Sequence, residues 1–356
     1  MINRKITLLG PEGTNITLLI IFLLLNFISW MTLFTLSDGL NLDLQNSLFR
    51  QMVFTLLAVI VFFVITFISM EQINKYTFPF FGMITILLIF IFLTDPKEGV
   101  RRWYDLGIID FQPSEYIKIA IVLFISKCFV EKYNIFYVGT VSLFSIALVF
   151  RQPDLGTTTL LIVITLSMFF VSKIKTRSIL FLILLGGIFF FTFLEFGLIN
   201  SYQLSRITDF FNTVDFAQSQ SRLAISSGGI TGQFFEADKI NQIFIPVQST
   251  DFIFSAYAYQ FGFIGVLLLS SLWLFFFYRV ARIILSTESD FEKFILAGFS
   301  ASLIFQIFIN ISTVIGVIPV TGMPFPLLSL GGSSLIATAV IFGIINRIFI
   351  ENNVVI

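Results

Sequence analysis

The hydrophobic residues of this chain fall into long runs separated by short polar stretches. A bilayer core about 30 Å thick needs roughly 20 apolar residues in a spanning helix. About ten runs come near that length, at residues 17–36, 51–70, 74–94, 114–131, 135–150, 156–172, 178–198, 252–278, 291–317 and 330–350. The pattern predicts an all-α polytopic membrane protein, with one membrane domain over residues 1–356 and a large extracytoplasmic loop at 199–250, between helices 7 and 8.

The composition agrees with this class. Hydrophobic residues make up 57% of the 356 positions and charged residues only 12%, whereas soluble proteins carry roughly 25% charged residues. The formal net charge is zero, so no polyanion such as nucleic acid is expected as a partner. The chain has no histidine and a single cysteine, Cys128. Histidine-based catalysis, histidine metal ligands and an intramolecular disulfide are therefore excluded.

The distribution of lysine and arginine predicts the orientation. The first run follows Arg4 and Lys5 without a small-residue cleavage site, which indicates a retained signal anchor. With both termini cytoplasmic, twelve of the 21 basic residues lie on the inner side. The other nine lie at or near the outer face: Arg50, Lys97, Arg101, Arg102, Lys118, Arg151, Arg206, Arg222 and Lys239. An anionic ligand on the outer side would explain them.

The polar stretch GVRRWYDLGIIDFQPSEYIK, residues 99–118, is the first candidate site. Its Arg-Arg-Trp cluster suits phosphate oxygens and the face of a sugar or an isoprenoid. Glu115 and Lys118 stand three residues apart in the first turn of an apolar helix, where an unpaired charge is costly, so we expect them to pair. The alternative is an interfacial belt of Trp and Arg with a helix-end ion pair.

Three further stretches break the hydrophobic pattern. In RQPDLGTT, residues 151–158, Asp154 is predicted to cap the following helix. Residues 219–235 predict an amphipathic surface helix that ends in glycines. Residues 315–334 hold three prolines and a Gly-Gly pair, which predicts a re-entrant segment lining a cavity. A purely structural helix-breaking loop is the alternative there.

Asp251 places a carboxylate at the start of a long apolar run, in PVQSTDFIF, residues 246–254. The residue either marks the start of a helix or works as an acid or base where chain and lipid meet. The local pattern alone does not decide between these roles.

Five segments in this order resemble the SEDS family (shape, elongation, division and sporulation), over residues 15–348: RRWYDLGIIDFQPSEYIK, QPDLGTT, QSRLAISSGGITG, TDFIF and GMPFPLLSLGGSS. The resemblance implies a peptidoglycan glycosyltransferase that polymerises lipid II on the outer face of the bacterial plasma membrane. It also implies a class B penicillin-binding protein, a transpeptidase, as partner. The segment RWYDLGIIDFQPSE is more similar to the RodA elongation branch than to the FtsW division branch.

The same resemblance assigns roles to individual residues. Asp251 is the implied general base, which takes the proton of the attacking sugar hydroxyl. Glu115 would orient Lys118, and Trp103 would hold the sugar or lipid part. The cations implied for the departing pyrophosphate are Arg101, Arg102, Lys118 and Arg206. No cofactor is evident, and a divalent cation stays an open alternative.

The chain also departs from the family pattern. Val247 and Ser249 stand where Glu and His are usual before the Asp251 motif, and Leu330 replaces a Tyr. Tyr259-Gln260 replaces a pair of glutamates. Two other functions therefore stay open, a transporter of lipid-linked precursor and a catalytically inactive scaffold for a transpeptidase.

Overall fold

The computed structural model describes residues 16–37, 46–97, 99–107, 110–172, 215–234 and 248–352, besides the single positions 177, 180, 184, 186 and 187. Within these residues the chain forms ten α-helices and one two-stranded hairpin. The helices are α1 Ile16–Leu36, α2 Ser47–Phe67, α3 Met70–Phe90, α4 Pro113–Val130, α5 Ile135–Arg151, α6 Leu155–Val171, α7 Phe216–Ser227, α8 Ile253–Ser286, α9 Asp290–Val314 and α10 Gly332–Glu351. The antiparallel strands are β1 Tyr104–Asp105 and β2 Asp110–Phe111.

Nine of these helices match nine of the predicted spans, and α7 is the predicted amphipathic surface helix. The predicted span 178–198 and most of the 199–250 loop lie outside the described residues. Six helices are long and apolar enough to cross a membrane, namely α1, α2, α3 with its 3-10 extension to Leu93, α8, α9 and α10. The chain is therefore a polytopic helical membrane protein, while the total of ten spanning helices stays a prediction.

Short capped turns join consecutive helices. Ser69 separates α2 from α3 and forms a capping box, in which its hydroxyl accepts from Gln72 N and Gln72 Oε1 accepts from Ser69 N. Asn134 is the N-cap of α5, and its side-chain oxygen accepts a hydrogen bond from Phe136 N at 2.9 Å. These turns leave too few residues for anything except antiparallel neighbours, so the helix ends collect at two opposite faces of the bundle.

Helices α4 and α10 form the centre of the bundle. Residues 117–126 of α4 are all buried, which is the expected state for a helix that is apolar on every side. Helix α10 packs extensively along α2, while α9 packs against both α4 and α6. By contrast, α8 exposes large apolar side chains such as Leu274 and Leu285, as a helix that faces lipid would. Phenylalanines fill the core, and the rings of Phe276 and Phe342 stack 4.6 Å apart.

Helix α8 is broken near its start by Gly262, whose φ of 60° and ψ of −163° are not helical. The break interrupts the helical hydrogen-bond ladder, and the loop that follows α7 supplies replacement partners. Phe263 N donates to Gly229 O and Ile264 N donates to Ile230 O, at 3.0 and 3.1 Å. The glycines after α7 therefore end that helix, as predicted, and also dock it on α8.

Gly232 is the tightest point of this contact, and it generates a prediction. Its φ is +82°, and a Cβ built on it would lie 2.1 Å from Gln260 O. We expect Gly232→Ala to destabilise the purified protein by at least about 1–2 kcal/mol, because the backbone is left-handed there and the added atom clashes. Thermal unfolding in detergent measures this change.

Gly82→Ala is the matched control, because Gly82 lies within α3 and an added Cβ would meet nothing within 4 Å. It should keep or raise the melting temperature, since alanine favours a helix by about 1 kcal/mol over glycine. Equal melting temperatures for the two variants would contradict the proposed docking contact.

Candidate active site

A cavity of about 750 Å³ opens at the face of the bundle where α2, α4, α6, α8 and α10 begin. Segments that are far apart in sequence meet around it: the 97–112 stretch with the first turn of α4, the turn before α8, the stretch between α9 and α10, and residues at the starts of α2 and α6. The lining residues are Arg50, Phe54, Lys97, Gly99, Val100, Arg102, Trp103, Asp110, Gln112, Glu115, Asp154, Thr157, Thr250, Asp251, Gly322, Pro324, Leu330, Gly331, Gly332, Ser333 and Ser334.

The stretch between α9 and α10, residues 315–331, contains no helix, as predicted. Side chains from other elements form hydrogen bonds with its backbone carbonyls. Ser29 Oγ donates to Leu328 O at 2.6 Å, and Gln306 Nε2 donates to Pro324 O at 3.0 Å. The segment is thus buried irregular backbone whose Gly322 and Pro324 line the cavity, which fits the rule for such backbone inside a membrane protein.

Asp251 lies half-buried in the turn before α8, and it lines the cavity. Its backbone carbonyl accepts a hydrogen bond of 2.9 Å from Asn310 Nδ2. The preceding carbonyls are also held, because Ser329 Oγ donates to Thr250 O at 2.6 Å and Leu330 N donates to Ser249 O at 2.9 Å. The turn that bears the Asp251 carboxylate is therefore tied to residues 315–331, which were predicted as a re-entrant segment and are termed the re-entrant stretch.

The three residues of the Arg-Arg-Trp cluster lie in different environments. Arg102 reaches the 152–153 turn, where its Nε donates to Gln152 O at 2.9 Å and its terminal nitrogen donates to Pro153 O. Trp103 Nε1 donates to Gln112 Oε1 at 3.1 Å, and both Arg102 and Trp103 line the cavity. Arg101 is exposed and is not part of the cavity wall, so the geometry does not support its predicted substrate contact.

Glu115 and Lys118 form the predicted ion pair, with 2.7 Å between Oε2 and Nζ, and both side chains are about 95% buried. Glu115 faces the cavity, whereas Lys118 lies behind it and also donates to Gln306 Oε1 at 3.3 Å. Lys118 is therefore placed to hold Glu115 and the re-entrant stretch, and the geometry does not support a direct contact with pyrophosphate.

Asp154 caps α6 as predicted, since its carboxylate accepts from Thr157 N at 3.1 Å and from the Thr157 hydroxyl at 3.0 Å. Asp154 and Thr157 also line the cavity. Asp154 therefore both caps α6 and forms part of the cavity wall.

The β1–β2 hairpin forms another part of the wall. Lys97 Nζ lies 2.7 Å from both carboxylate oxygens of Asp110. Ser333 Oγ donates to Asp110 O and accepts from Gln112 N, which fastens the hairpin to the start of α10. Tyr104 donates its hydroxyl to Leu87 O at 2.7 Å, and burial raises its pKa, so this tyrosine stays protonated at neutral pH.

Sequence reasoning missed Arg50 as a site residue. Its guanidinium lies 5.9 Å from the ring centroid of Phe54, and an added Cβ on Gly332 would lie 2.9 Å from that ring. Arg50 and the N-terminus of α10 therefore lie on either side of contacts to Phe54 and line the same cavity, and the first turn of α10 has no side-chain cap. A helix N-terminus carries partial positive charge. The excess of basic residues at the outer helix ends was the one signal that included Arg50.

The cavity wall carries charged side chains of both signs. Lys97 has a carboxylate partner in Asp110, whereas no ion pair is recorded for Arg50 or Arg102 among the described residues. Arg50, Arg102 and the start of α10 share the wall with the carboxylates of Asp154 and Asp251. Guanidinium groups and a helix N-terminus suit an anionic ligand, and a carboxylate beside them can accept a proton. In the part of the chain that the structure describes, no group of three or more His, Cys, Asp or Glu side chains is placed to hold a metal ion.

The remaining predicted positions behave differently. Arg206 and Val247 lie outside the described residues. Ser249 and Leu330 meet through their backbones, so that bond does not depend on either side chain. Gln260 is fully buried and donates from Nε2 to Thr32 O at 3.0 Å, which ties α8 to α1.

The fold and the cavity define a polytopic helical membrane protein with a polar, cation-bearing site at one face. A family model described as cell cycle protein, FtsW/RodA/SpoVE, matches residues 15–354, and the chain belongs to this family. The probable peptidoglycan glycosyltransferase FtsW of Haemophilus influenzae is 33% identical over 321 residues, covering 85% of this chain and 81% of that protein. The peptidoglycan glycosyltransferase MrdB of Escherichia coli K12 is 33% identical over 265 residues, covering 71% of each chain.

Solved structures share the fold. The rod shape determining protein RodA of Thermus thermophilus has a TM-score of 0.72 at 22% identity, covering 97% of this chain and 99% of that one. A chain from a peptidoglycan synthase complex that coordinates polymerization and crosslinking has a TM-score of 0.76 at 24% identity, with coverage of 96% and 99%. Family membership and the curated relatives make this chain a glycosyltransferase.

The buried ion pair gives a second prediction. Lys118→Met leaves the Glu115 carboxylate buried without its partner, so we expect a loss of about 3–5 kcal/mol in stability. The double variant Glu115→Gln with Lys118→Met should recover most of that loss, because no unpaired charge is left. Thermal unfolding of the detergent-purified proteins measures both.

Lys293→Met serves as the control, since Lys293 and Asp290 form an exposed pair separated by 3.8 Å, and such pairs contribute about 0–1 kcal/mol. A Lys118→Met protein that melts with the wild type would show that the buried pair does not hold this part of the fold.

Proposed function

We propose that this glycosyltransferase polymerises lipid II into glycan strands, with Asp251 as the general base. The observation that carries the proposal is the shared cavity, in which Asp251 faces the same space as Arg50, Arg102 and the start of α10. The reaction needs a proton acceptor near one substrate and cations near the other. The names of the relatives supply the chemical class of the substrate.

The reaction assigns a task to each side of the cavity. A sugar hydroxyl of the acceptor attacks the anomeric carbon of the donor, and its proton passes to the Asp251 carboxylate. The new carbon–oxygen bond forms as the bond from that carbon to the polyprenyl pyrophosphate breaks. The departing pyrophosphate carries growing negative charge, which Arg50, Arg102 and the amide groups at the start of α10 would stabilise.

Other residues act around this centre. Trp103 presents an aromatic face to the cavity and suits the sugar or the first part of the polyprenyl chain. Glu115, held by Lys118, forms part of the cavity wall. Arg206 of the long loop joins the cations in this proposal on the strength of the family resemblance.

The setting of the reaction follows the family. We place the cavity at the outer face of a bacterial plasma membrane, with both termini cytoplasmic, and a class B transpeptidase as partner. A neighbour of the same fold comes from a complex that couples polymerization to crosslinking, which supports such a partner. The motif around Trp103 favours the elongation branch, while relatives named FtsW and MrdB match this chain at equal identity.

The general base can be tested by Asp251→Asn, which keeps the size of the side chain and removes its basicity. We expect polymerisation to fall by roughly 10²-fold or more, with normal expression and membrane insertion. The measurement is glycan formation from purified lipid II, with and without a transpeptidase partner.

Asp105→Asn is the matched control, because Asp105 is exposed on the hairpin and its Oδ1 accepts from Gly107 N, a bond that asparagine can keep. It should polymerise at the wild-type rate. Near-normal synthesis by Asp251→Asn would reduce Asp251 to a helix-start residue, and an inactive wild type that still binds a transpeptidase would indicate a scaffold.

The cation assignment predicts different effects for two arginines. Arg50→Ala removes a guanidinium from the cavity wall, so we expect KM for lipid II to rise about tenfold, a typical loss for one charge-assisted contact. Arg101→Ala should change KM by less than about twofold, because Arg101 is exposed outside the wall. Steady-state kinetics on folded protein would show the reverse order if the sequence-based assignment of Arg101 were right.

A further inference from the structure

The position of Asp251 is not set by a helix. Asp251 belongs to the 248–252 turn, α8 begins only at Ile253, and Phe252 makes no side-chain capping bond. The position of the Asp251 main chain, from which the carboxylate extends, therefore depends on whatever holds the turn. Three consecutive carbonyls of this turn, at residues 249, 250 and 251, each accept a hydrogen bond from another part of the fold.

Asn310 differs from the other two donors, because it comes from a regular helix. Its Nδ2 donates to Asp251 O at 2.9 Å and to Met323 O at 2.8 Å. A primary amide nitrogen has two hydrogens, and both are used on two separate segments. The carbonyl acceptors also fix the orientation of the amide, since an oxygen in that place would face two other oxygens. Asn310 thus connects the Asp251 turn to the re-entrant stretch through the frame of α9.

The burial of Asn310 makes these bonds hard to replace. Its side chain is 99% buried, and Oδ1 has no hydrogen-bond partner in the described structure. Water is not at hand to satisfy the two carbonyls if the amide is removed. One turn earlier on the same face of α9, Gln306 Nε2 donates to the next carbonyl, Pro324 O. Two side chains of helix α9 therefore hold both the Asp251 turn and residues 323–324 of the re-entrant stretch.

We propose that Asn310 is a positioning residue, which fixes the Asp251 carboxylate toward the acceptor hydroxyl without touching the substrate. The inference rests on the proposed function of Asp251 as general base. Loss of the Asn310 amide would let the turn shift relative to the re-entrant stretch, and a displacement of about 1 Å can cost on the order of 10²-fold in rate. The effect should appear in kcat and leave KM for lipid II unchanged.

The key variant is Asn310→Leu, which keeps the branching and the number of side-chain heavy atoms and removes both donors. On folded protein we expect kcat to fall at least about tenfold with KM within about twofold of wild type. Asn310→Gln keeps the two hydrogens one methylene further out, and its kcat should lie between the wild type and Asn310→Leu. This second variant serves also if Asn310→Leu does not fold.

Asn346→Leu is the matched control, since Asn346 is a fully buried asparagine of α10 that donates to Thr66 Oγ1 at 3.1 Å, away from the cavity wall. It should lower the melting temperature and leave kcat unchanged. A loss of kcat as large as that of Asn310→Leu would show that any buried asparagine in the bundle has this effect, and would overturn the inference.

A double-mutant cycle separates positioning from general damage. In the Asp251→Asn background, Asn310→Leu should cost little further activity, because the carboxylate that it positions is already absent. Additive losses would overturn the inference, as would wild-type kcat in Asn310→Leu or Asn310→Gln. If the wild type makes no glycan, or Asp251→Asn is as active as the wild type, the proposed function itself is wrong.

Discussion

The structure depends on a stretch of irregular backbone, residues 315–331, buried inside a bundle of apolar helices. Peptide groups there have neither a helical partner nor bulk water, and each unpaired group would be costly. The chain meets this demand with side-chain donors from four helices, among them Gln218 of α7, which donates to Ile318 O. Ser29 of α1 donates to Leu328 O, and Gln51 of α2 donates to Ser329 O. From α9, Gln306 donates to Pro324 O and Asn310 donates to Met323 O. Several of the polar side chains buried inside the bundle therefore serve this one segment.

The same constraint creates the site. Because the chain cannot continue as a helix through 315–331, the start of α10 and the turn before α8 are left open toward a common space. Charges then become tolerable on the wall of a polar cavity. Glu115 lines that wall and is neutralised by Lys118 behind it, while Arg50 and Arg102 line the wall together with Asp251. The arrangement places a carboxylate and two guanidinium groups around the same cavity.

The departures from the family pattern are explained in part by backbone contacts. Ser249 and Leu330 are two of the positions where the family resemblance led us to expect other side chains, and their main-chain groups bond to each other. Gln260 donates to α1 instead of presenting a charge. The fold tolerates these changes because the bonds that hold the Asp251 turn come from the backbone, from Ser329 and from Asn310.

The sequence by itself determined the helices and the elements of the site that are local. Runs of apolar residues located nine of the helices, since burial in lipid or in a helical core requires such runs, although α8 extends eight residues beyond its predicted end at residue 278. Spacing alone predicted the Glu115–Lys118 pair and the Asp154 cap, because i to i+3 contacts are set by the helix. Only the tertiary structure separated Arg101 from Arg102, added Arg50 to the wall and placed Asn310 behind Asp251. These relations join residues from different helices, and their distances depend on how the helices pack, which no local pattern of a single chain encodes.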